Sequence, residues 1–481
     1  MVKLRTVPKE LVLKRIRLEN TWWREPGGIL TEYKKMKARA YLKSFLPLIS
    51  QRLPRRAVVL MGPRRVGKTV MIHHAIQSLL DRGIKPKLIY YISVDHPIYN
   101  GLSLEDLVEL YSKASGIDPR SDECFVFFDE IQYLRNWEQH LKVLVDDNPN
   151  LKCVASGSAA AALRLKSTES GAGRFTEFLL PPLTFYEYLE LLEKRYISIE
   201  TEEDDIYVSH DIEKLNAAFL DYVNFGGYPE VIFSERIQQD PARFIKADII
   251  DKVLLRDLPS LYGIKDIQEL NSLFTYLAYN TAGEVSLEGM SQHSGVAKNT
   301  LKRYIEYLEA AFLLRVVHRV DQKARRFSRV HHFKVYLTNP SMRSALFSPV
   351  EANDASMGRL IETAIFSQWF HLPNRLHYAR WGQKKKREVD IIRLNPDQTI
   401  RDAIEVKWSD RKETPAALLE FCLSNNLSIA RVTTKSYHRV EKMRNVQIFY
   451  IPASVYCWVL GYQIVQGLEI PMENRLFWIE H

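Results

Sequence analysis

Residues 58–76 read VVLMGPRRVGKTVMIHHAI, and this stretch limits the fold of the chain more than any other. An apolar run feeds Gly62, the pattern Gly62-x-x-x-x-Gly67-Lys68-Thr69 follows, and Val70, Met71, Ile72, Ala75, Ile76, Leu79 and Leu80 recur at helical spacing. A buried strand, a glycine-rich turn and a helix are therefore predicted in succession. Glycines let backbone N–H groups converge on an anion with no side chain between, and the helix N-terminus adds positive potential. The pattern is that of a Walker A phosphate loop built from Gly62, Pro63, Arg64, Arg65, Val66, Gly67, Lys68, Thr69 and Val70. Lys68 would reach the terminal phosphates of ATP, and the Thr69 hydroxyl would ligate Mg²⁺. An ordinary tight turn could also use the glycines, but strand, loop and helix all stand in order here.

A site that hydrolyses a nucleotide needs a second metal partner and a group that orients water. CFVFFDEIQ (124–132) offers both. Phe125 to Phe128 read as a central strand buried on both faces and ending in Asp129, for the Mg²⁺ shell, and Glu130, to polarise the attacking water. A third strand, KCVASGSA, ends at Ser156 to Ser158, where a hydroxyl sensing the terminal phosphate would sit. Arg174 follows in a Gly-flanked turn. It reads equally as a finger reaching a neighbouring subunit's phosphate and as a solvated surface arginine.

Taken in order, GPRRVGKT, FFDEIQ, SGSA, GRF…LPPLTFYEYL and FGGYPEV resemble a large prokaryotic family of AAA-type (AAA+) P-loop ATPases. Its members carry a C-terminal domain of unknown function. The match covers most of residues 45–410. It implies an ATPase core with a parallel sheet and a helical lid, and it supports Arg174 as the finger. AAA-type relatives usually work as rings, so the resemblance also implies a homo-oligomer.

Residues 191–265 read as the helical lid. DIEKLNAAFLDYVNFGGYPEV breaks at Gly226-Gly227, and Pro241 is placed to start a helix. Arg256 beside Asp257 favours an internal ion pair over an approach to the nucleotide, and TEEDD (201–205) reads as a solvated loop. Residues 266–340 give an amphipathic helix, then helix, a turn at Gly295, a second helix with Leu301, Tyr304, Ile305 and Leu308 inward, and a basic hairpin. That order is a winged helix. Lys298, Asn299, Lys302 and Arg303 would face a DNA duplex, and Lys323, Arg325, Arg326 and Arg329 would meet phosphates. Winged helices also serve as packing modules, but the charge on the wing favours DNA.

The C-terminal third, 341–481, reads as an α/β domain. Glu362 lies on a helix, Asp390 on a strand, and Glu405-Val406-Lys407 on the next. This is the order of PD-(D/E)XK nucleases. Alternation puts Glu405 and Lys407 on one face with Asp390 beside them. Asp390, Glu405 and the Val406 carbonyl could hold Mg²⁺, a hard ion that prefers oxygen, and Lys407 would orient or deprotonate the attacking water. KKKR (384–387) precedes the Asp390 strand. E-x-K strands also occur by chance, and domains of this fold can lack activity.

The 481 residues suffice for about three domains, and the motifs divide them at 1–45 (an N-terminal helical segment), 46–190, 191–265, 266–340 and 341–481. The net charge of +9, with 67 Lys and Arg against 58 Asp and Glu, is modest, so its concentration at KARRFSR (323–329) and KKKR matters more than its sum. No apolar run is long enough for a bilayer, since VYCWVLGYQIV is short and contains Gln463. The first twenty residues lack the apolar centre of a signal peptide. Four scattered cysteines suit a reducing cytoplasm. The expectation is a cytoplasmic Mg²⁺-ATP-dependent ATPase that binds DNA through its winged helix and nuclease-like domain, with endonuclease activity left open. The alternative is an ATP-gated interaction protein with an inactive nuclease-like domain. A small-molecule kinase fits poorly, because no acceptor-binding motif stands out. NTWWREPGG (20–28) reads only as a cap on the ATPase core.

Overall fold

Apolar runs of the first 180 residues assemble into one parallel sheet, in a computed structural model that describes residues 8–24, 28–157, 173–200, 206–325, 332–372, 376–382, 387–467 and 477–479. The strands are β1 (Ala57–Met61), β2 (Ile89–Ser93), β3 (Cys124–Asp129), β4 (Leu151–Gly157) and β5 (Phe175–Leu179), in the order β2-β3-β4-β1-β5. Every neighbouring pair is parallel. β1, β3 and β4 are buried along their whole length, as strands covered on both faces must be. The turn after β1 runs straight into the helix Lys68–Asp81. β4 lies between β1 and β3, so the glycine loop and the acids closing β3 emerge at the same end of the sheet, separated by a single strand.

β2 is an edge strand, and its outer backbone groups need partners. The N-terminal segment supplies them. Asn20 imitates a neighbouring strand: its Nδ2 donates to the Tyr91 carbonyl at 2.8 Å, and its Oδ1 accepts from the Tyr91 N–H at 2.7 Å. The indoles of Trp22 and Trp23 both donate to the Ile89 carbonyl, at 3.1 and 2.8 Å. Alternation along β2 points Ile89 and Tyr91 the same way, which is why residues so close in sequence can serve both. The paired tryptophans thus seal a sheet edge.

The chain divides into two compact units, 1–180 and 181–481. In the second, β6 (Ile197–Glu200) and β7 (Ile206–Ser209) form a hairpin. Next come β8 (Glu284–Ser286), β9 (Leu314–Val320), β10 (His332–Leu337), β11 (Leu376–Trp381), β12 (Arg387–Leu394), β13 (Ile400–Glu405), β14 (Ile429–Thr434), β15 (Arg439–Met443) and β16 (Val446–Pro452). These nine make one mixed sheet, ordered β15-β16-β14-β13-β12-β11-β9-β10-β8. A last strand, β17 (Phe477–Ile479), pairs with β7.

Helix 212–225 ends at Gly226, and Gly227 packs where an added Cβ would lie 2.7 Å from the Asn339 side chain. Pro241 precedes a wide-wound π-helical stretch, 242–257, on which Arg256 is exposed. Helices 267–279, 287–294 and 298–310 then alternate with β8 and the β9–β10 pair, and Leu301, Tyr304, Ile305 and Leu308 are buried. β10 pairs antiparallel with both β8 and β9, and the free side of β9 pairs in parallel with β11, Tyr378 opposite Arg319. Strands on both sides of residue 340 therefore share one sheet. The boundary expected at 340/341 falls within it, those at 190/191 and 265/266 fall within the second unit, and that at 45/46 falls within the first.

VYCWVLGYQIV becomes the buried helix Ala453–Gln466, which joins helices 185–191, 212–225 and 357–368 in one core. Among the described residues no helix is long and apolar enough to cross a membrane. The four cysteines are free and buried, Cys124 and Cys153 in the first unit, Cys422 and Cys457 in the second.

Candidate active sites

In the first unit the glycine loop is shaped by contacts that leave no room for side chains. Gly62 has φ +156°, and a Cβ there would stand 2.2 Å from the Leu180 carbonyl oxygen. Gly67 has φ +94° and Arg65 +65°, so the loop turns through left-handed conformations at both places. Arg39 Nη1 donates to the Val66 carbonyl at 2.6 Å and fixes the loop from the N-terminal side. Pro63 and Val66 are buried, Arg64 and Val70 half-buried, and Arg65 exposed. Lys68 is buried and donates to the Gly62 and Pro63 carbonyls at 3.0 and 2.7 Å, curling over the loop.

Asp129 lies at the centre. Its Oδ2 accepts from Thr69 Oγ1 at 2.8 Å and from the Tyr91 hydroxyl at 3.0 Å, and its Oδ1 accepts from Ser156 Oγ. Burial pushes the Asp129 carboxyl up, the Glu130 charge adds to this, and the Ser156, Thr69 and Tyr91 donors oppose it. A glycine cradle that a Cβ would fill, next to a hydroxyl already touching a buried carboxylate, fits a Mg²⁺-bound triphosphate held by Thr69 and Asp129. Glu130 has φ +55°, and its carboxylate accepts from Gln132 Nε2.

Ser156, expected near the terminal phosphate, lies next to Asp129. It is wholly buried on β4 and its hydroxyl donates to Asp129; β4 is the direct neighbour of β3, with Ala155 opposite Phe128. Ser158 lies outside the described residues. Arg174 sits beside the start of β1, where its carbonyl accepts from the Ala57 N–H at 2.9 Å, while the glycine loop leaves the other end of that strand. Five residues of strand separate the two, about 16 Å at the usual rise. Its Nε meets Asp146 Oδ1 at 2.6 Å. The charge of Arg174 therefore lies away from the phosphate loop of its own chain.

The second unit brings Glu362, Asp390, Glu405 and Lys407 into one cluster. The Val406 N–H donates to Asp390 Oδ2 at 2.8 Å, which sets the Asp390 strand beside the E-x-K strand. Lys407 Nζ meets Glu405 Oε1 at 2.7 Å, and the Lys407 backbone is pinned on both sides by Thr433 Oγ1. Burial pushes Glu405 up to about 8, with the Asp390 charge adding to it and Lys407 opposing. Burial likewise carries Glu362 to about 7 against the pull of Lys334. Glu405 Oε2 is buried with no hydrogen-bond partner. A cavity of about 220 Å³ borders it, lined by Glu405, Lys407, Arg411, Thr433, Tyr437 and Tyr450 among others.

In this cluster three participants, Lys334, Glu388 and Tyr336, escaped sequence reasoning, as Tyr91 did in the first unit. Lys334 on β10 lies 2.8 Å from Glu362 Oε1 and 2.7 Å from Glu388 Oε1, and the Tyr336 hydroxyl donates to the same Glu362 oxygen at 2.5 Å. Their signal was a strand, HFKVYL, whose alternate positions carry a lysine and a tyrosine among apolar residues, and a second acid two residues before Asp390. Among the described residues no group of three or more His, Cys, Asp or Glu is disposed to hold a metal ion. The orphaned Glu405 oxygen beside Asp390 suits a hard cation held by two carboxylates and the Val406 carbonyl.

Lys298, Asn299, Lys302 and Arg303 are all exposed on helix 298–310. Lys298 pairs with Glu288 at 3.0 Å, and Lys302 lies 3.9 Å from Glu306. Lys323 and Arg325 are exposed just past the end of β9, where Gln322 is tied to Glu420 and Ser424 on helix 416–424. Arg326, Arg329 and Lys384–Lys386 lie outside the described residues, as does the acidic run 201–205.

Residues 54–189, which hold the glycine loop and the parallel sheet, match the sequence model of an AAA domain. A domain of unknown function matches residues 216–353, across the boundaries expected at 265/266 and 340/341 and ahead of most of the C-terminal third where the resemblance had put it. Among relatives, an uncharacterized protein of Methanocaldococcus jannaschii is 25% identical over 76% of this chain and 80% of its own. An uncharacterized protein of Haemophilus influenzae is 23% identical over 82% and 92%. Among solved structures, a Walker-type ATPase of Pyrococcus abyssi is 16% identical, with 64% of this chain and 94% of that one covered at a TM-score of 0.35. AMPPCP-bound DnaA from Aquifex aeolicus is 13% identical, with 56% and 85% covered at a TM-score of 0.25.

Proposed function

We propose that the protein is a Mg²⁺-dependent ATPase that binds DNA through a winged helix at 266–340 and hydrolyses phosphodiesters at a PD-(D/E)XK-like cluster in its C-terminal third. The observation that carries the ATPase half is the 2.8 Å contact between Thr69 and the buried Asp129, at the mouth of a loop where Gly62 tolerates no side chain. The loop N–H groups from Gly62 to Thr69 receive the terminal phosphates, and Lys68 leaves the Gly62 and Pro63 carbonyls for a phosphate oxygen. Mg²⁺, held by Thr69 and Asp129, supplies neutralising charge to the phosphates. Glu130 takes the proton of the attacking water after parting from Gln132. Arg174 serves the site of a neighbouring copy, since its own lies at the other end of β1.

The DNA half rests on the exposed row Lys298, Asn299, Lys302 and Arg303 and on the orphaned Glu405 oxygen. A divalent ion at Asp390 and Glu405 supplies Lewis acidity to the scissile phosphate. Lys407, charged and paired with Glu405, would hold and orient the attacking water. One experiment tests both halves: ATP and labelled DNA substrates are incubated with Mg²⁺ and wild type, Lys68→Ala or Glu405→Ala protein. Loss of ATP turnover only in the first variant and of DNA cleavage in the second is expected. Turnover that survives Lys68→Ala refutes the ATPase half, and absence of salt-sensitive DNA binding refutes the other.

A second reading draws on the tie of Gln322 to helix 416–424 and on the Lys298–Glu288 pair, which suit a packing module. An ATP-gated interaction protein with an inactive cluster would lose its cellular role with Lys68→Ala and keep it with Glu405→Ala.

A further inference from the structure

The acid cluster of the second unit holds a cation of its own. Lys334 enters from β10 with 3% of its side chain exposed, and its Nζ stands 2.8 Å from Glu362 Oε1, 2.7 Å from Glu388 Oε1 and 3.7 Å from Asp390 Oδ1. Its ammonium also lies 5.3 Å from the centre of the Tyr378 ring. Three carboxylates from a helix and a strand thus surround one buried positive charge. Ammonium can satisfy this arrangement because it carries three donors.

The cluster has two halves. The inner half, between Glu362, Glu388 and Asp390, is filled by Lys334. The outer half is made of Asp390, Glu405 and the Val406 carbonyl, and contains the buried Glu405 Oε2 with no hydrogen-bond partner next to a cavity of about 220 Å³. We propose that Lys334 stands where a second divalent ion would otherwise bind, so that the cluster takes one divalent cation, in its outer half, and acts on phosphodiesters as a single-metal site. The physical ground is competition. A divalent ion in the inner half would need the same oxygens that Lys334 holds, and two cations at that spacing in a poorly solvated place repel strongly. Lys334 is a positioning residue: it fixes Glu362 and one face of Asp390 and touches no substrate.

The inference rests on the metal-dependent reading of this cluster given above. Mn²⁺ is counted by calorimetry and by electron paramagnetic resonance on full-length, nucleotide-free protein. Every sample carries Asp129→Asn, so that the first unit is not counted. One Mn²⁺ is expected with Lys334 intact, two with Lys334→Met, and one with Lys334→Arg, which keeps the charge. Lys334→Gln, whose amide still donates to a carboxylate, gives a second neutral variant, and a count of two is expected there as well. Mn²⁺ should also raise the melting temperature of the two neutral variants by more than it raises that of the parent. A count of one in folded Lys334→Met and Lys334→Gln overturns the inference and leaves the metal reading standing, as does a count of two in the parent. A parent that binds no Mn²⁺ removes the metal reading itself.

Discussion

Asp129 and Glu405 are both buried carboxylates, yet their surroundings treat them differently. Asp129 receives three side-chain donors, so its position is fixed before any ion arrives. Glu130→Gln should therefore bind ATP within about threefold of wild type and lose on the order of 10²-fold or more in turnover, the usual size of a general-base contribution, as measured by nucleotide titration and phosphate release. Glu405 shares its surroundings with Asp390, and its folded pKa of about 8 lies above that of an unfolded glutamate. The folded state then holds a proton that the unfolded chain has given up, so stability falls as pH rises from about 5 to 8 and levels off above that. Melting curves across this range should show the decline, and Glu405→Gln should make it shallower, the remainder coming from Glu362, which burial also raises, to about 7. The residues legible in the sequence were those whose partners are set by a local pattern: Gly62, Lys68 and Thr69 by loop spacing, Asp129 by the end of an apolar strand. Tyr91 and Lys334 were not, because each meets its carboxylate only after distant strands pair.

At the scale of elements, strands and helices with a clean period were legible, and partners across a sheet edge were not. The run AVVLM gives β1, and the three-to-four spacing after Thr69 gives helix 68–81. Nothing in NTWWREPGG announces that a side-chain amide will replace a strand, since that role exists only once β2 has taken the edge. Asn20→Ala should cost the first unit roughly 2–3 kcal/mol, because it leaves the Tyr91 N–H and carbonyl buried and unpaired. Chemical denaturation of the variant measures this, and a loss under about 0.5 kcal/mol would show that water replaces the amide. The joining of β9 to β11 was equally hidden. Each strand reads as an ordinary member of its own segment, and only the unpaired side of β9 made them one sheet.

At the scale of the whole molecule, the proposed role of Arg174 at a neighbouring copy's site is open to a direct test, since Arg174 and Gly62 lie at opposite ends of β1. Arg174→Ala should lower turnover by about 10³-fold, the lower end of what an arginine finger contributes. Mixing it with Lys68→Ala should restore part of the activity, because one protein keeps the loop and the other keeps the arginine. A mixture as inactive as its components would rule out the exchange. The same surface on one copy meeting a different surface on the next gives a head-to-tail contact, which closes into a ring or runs on as a filament.

The distribution of cysteines has a use of its own. Burial pushes Cys124 and Cys422 up to about 12, and Cys153 and Cys457 higher still, so none offers a thiolate to an alkylating reagent while its unit is closed. With two thiols in each unit, alkylation becomes a clock for separate openings. Intact-mass spectra taken during mild denaturation should show chains carrying two adducts before chains carrying four, and peptide mapping then names the unit that yields first.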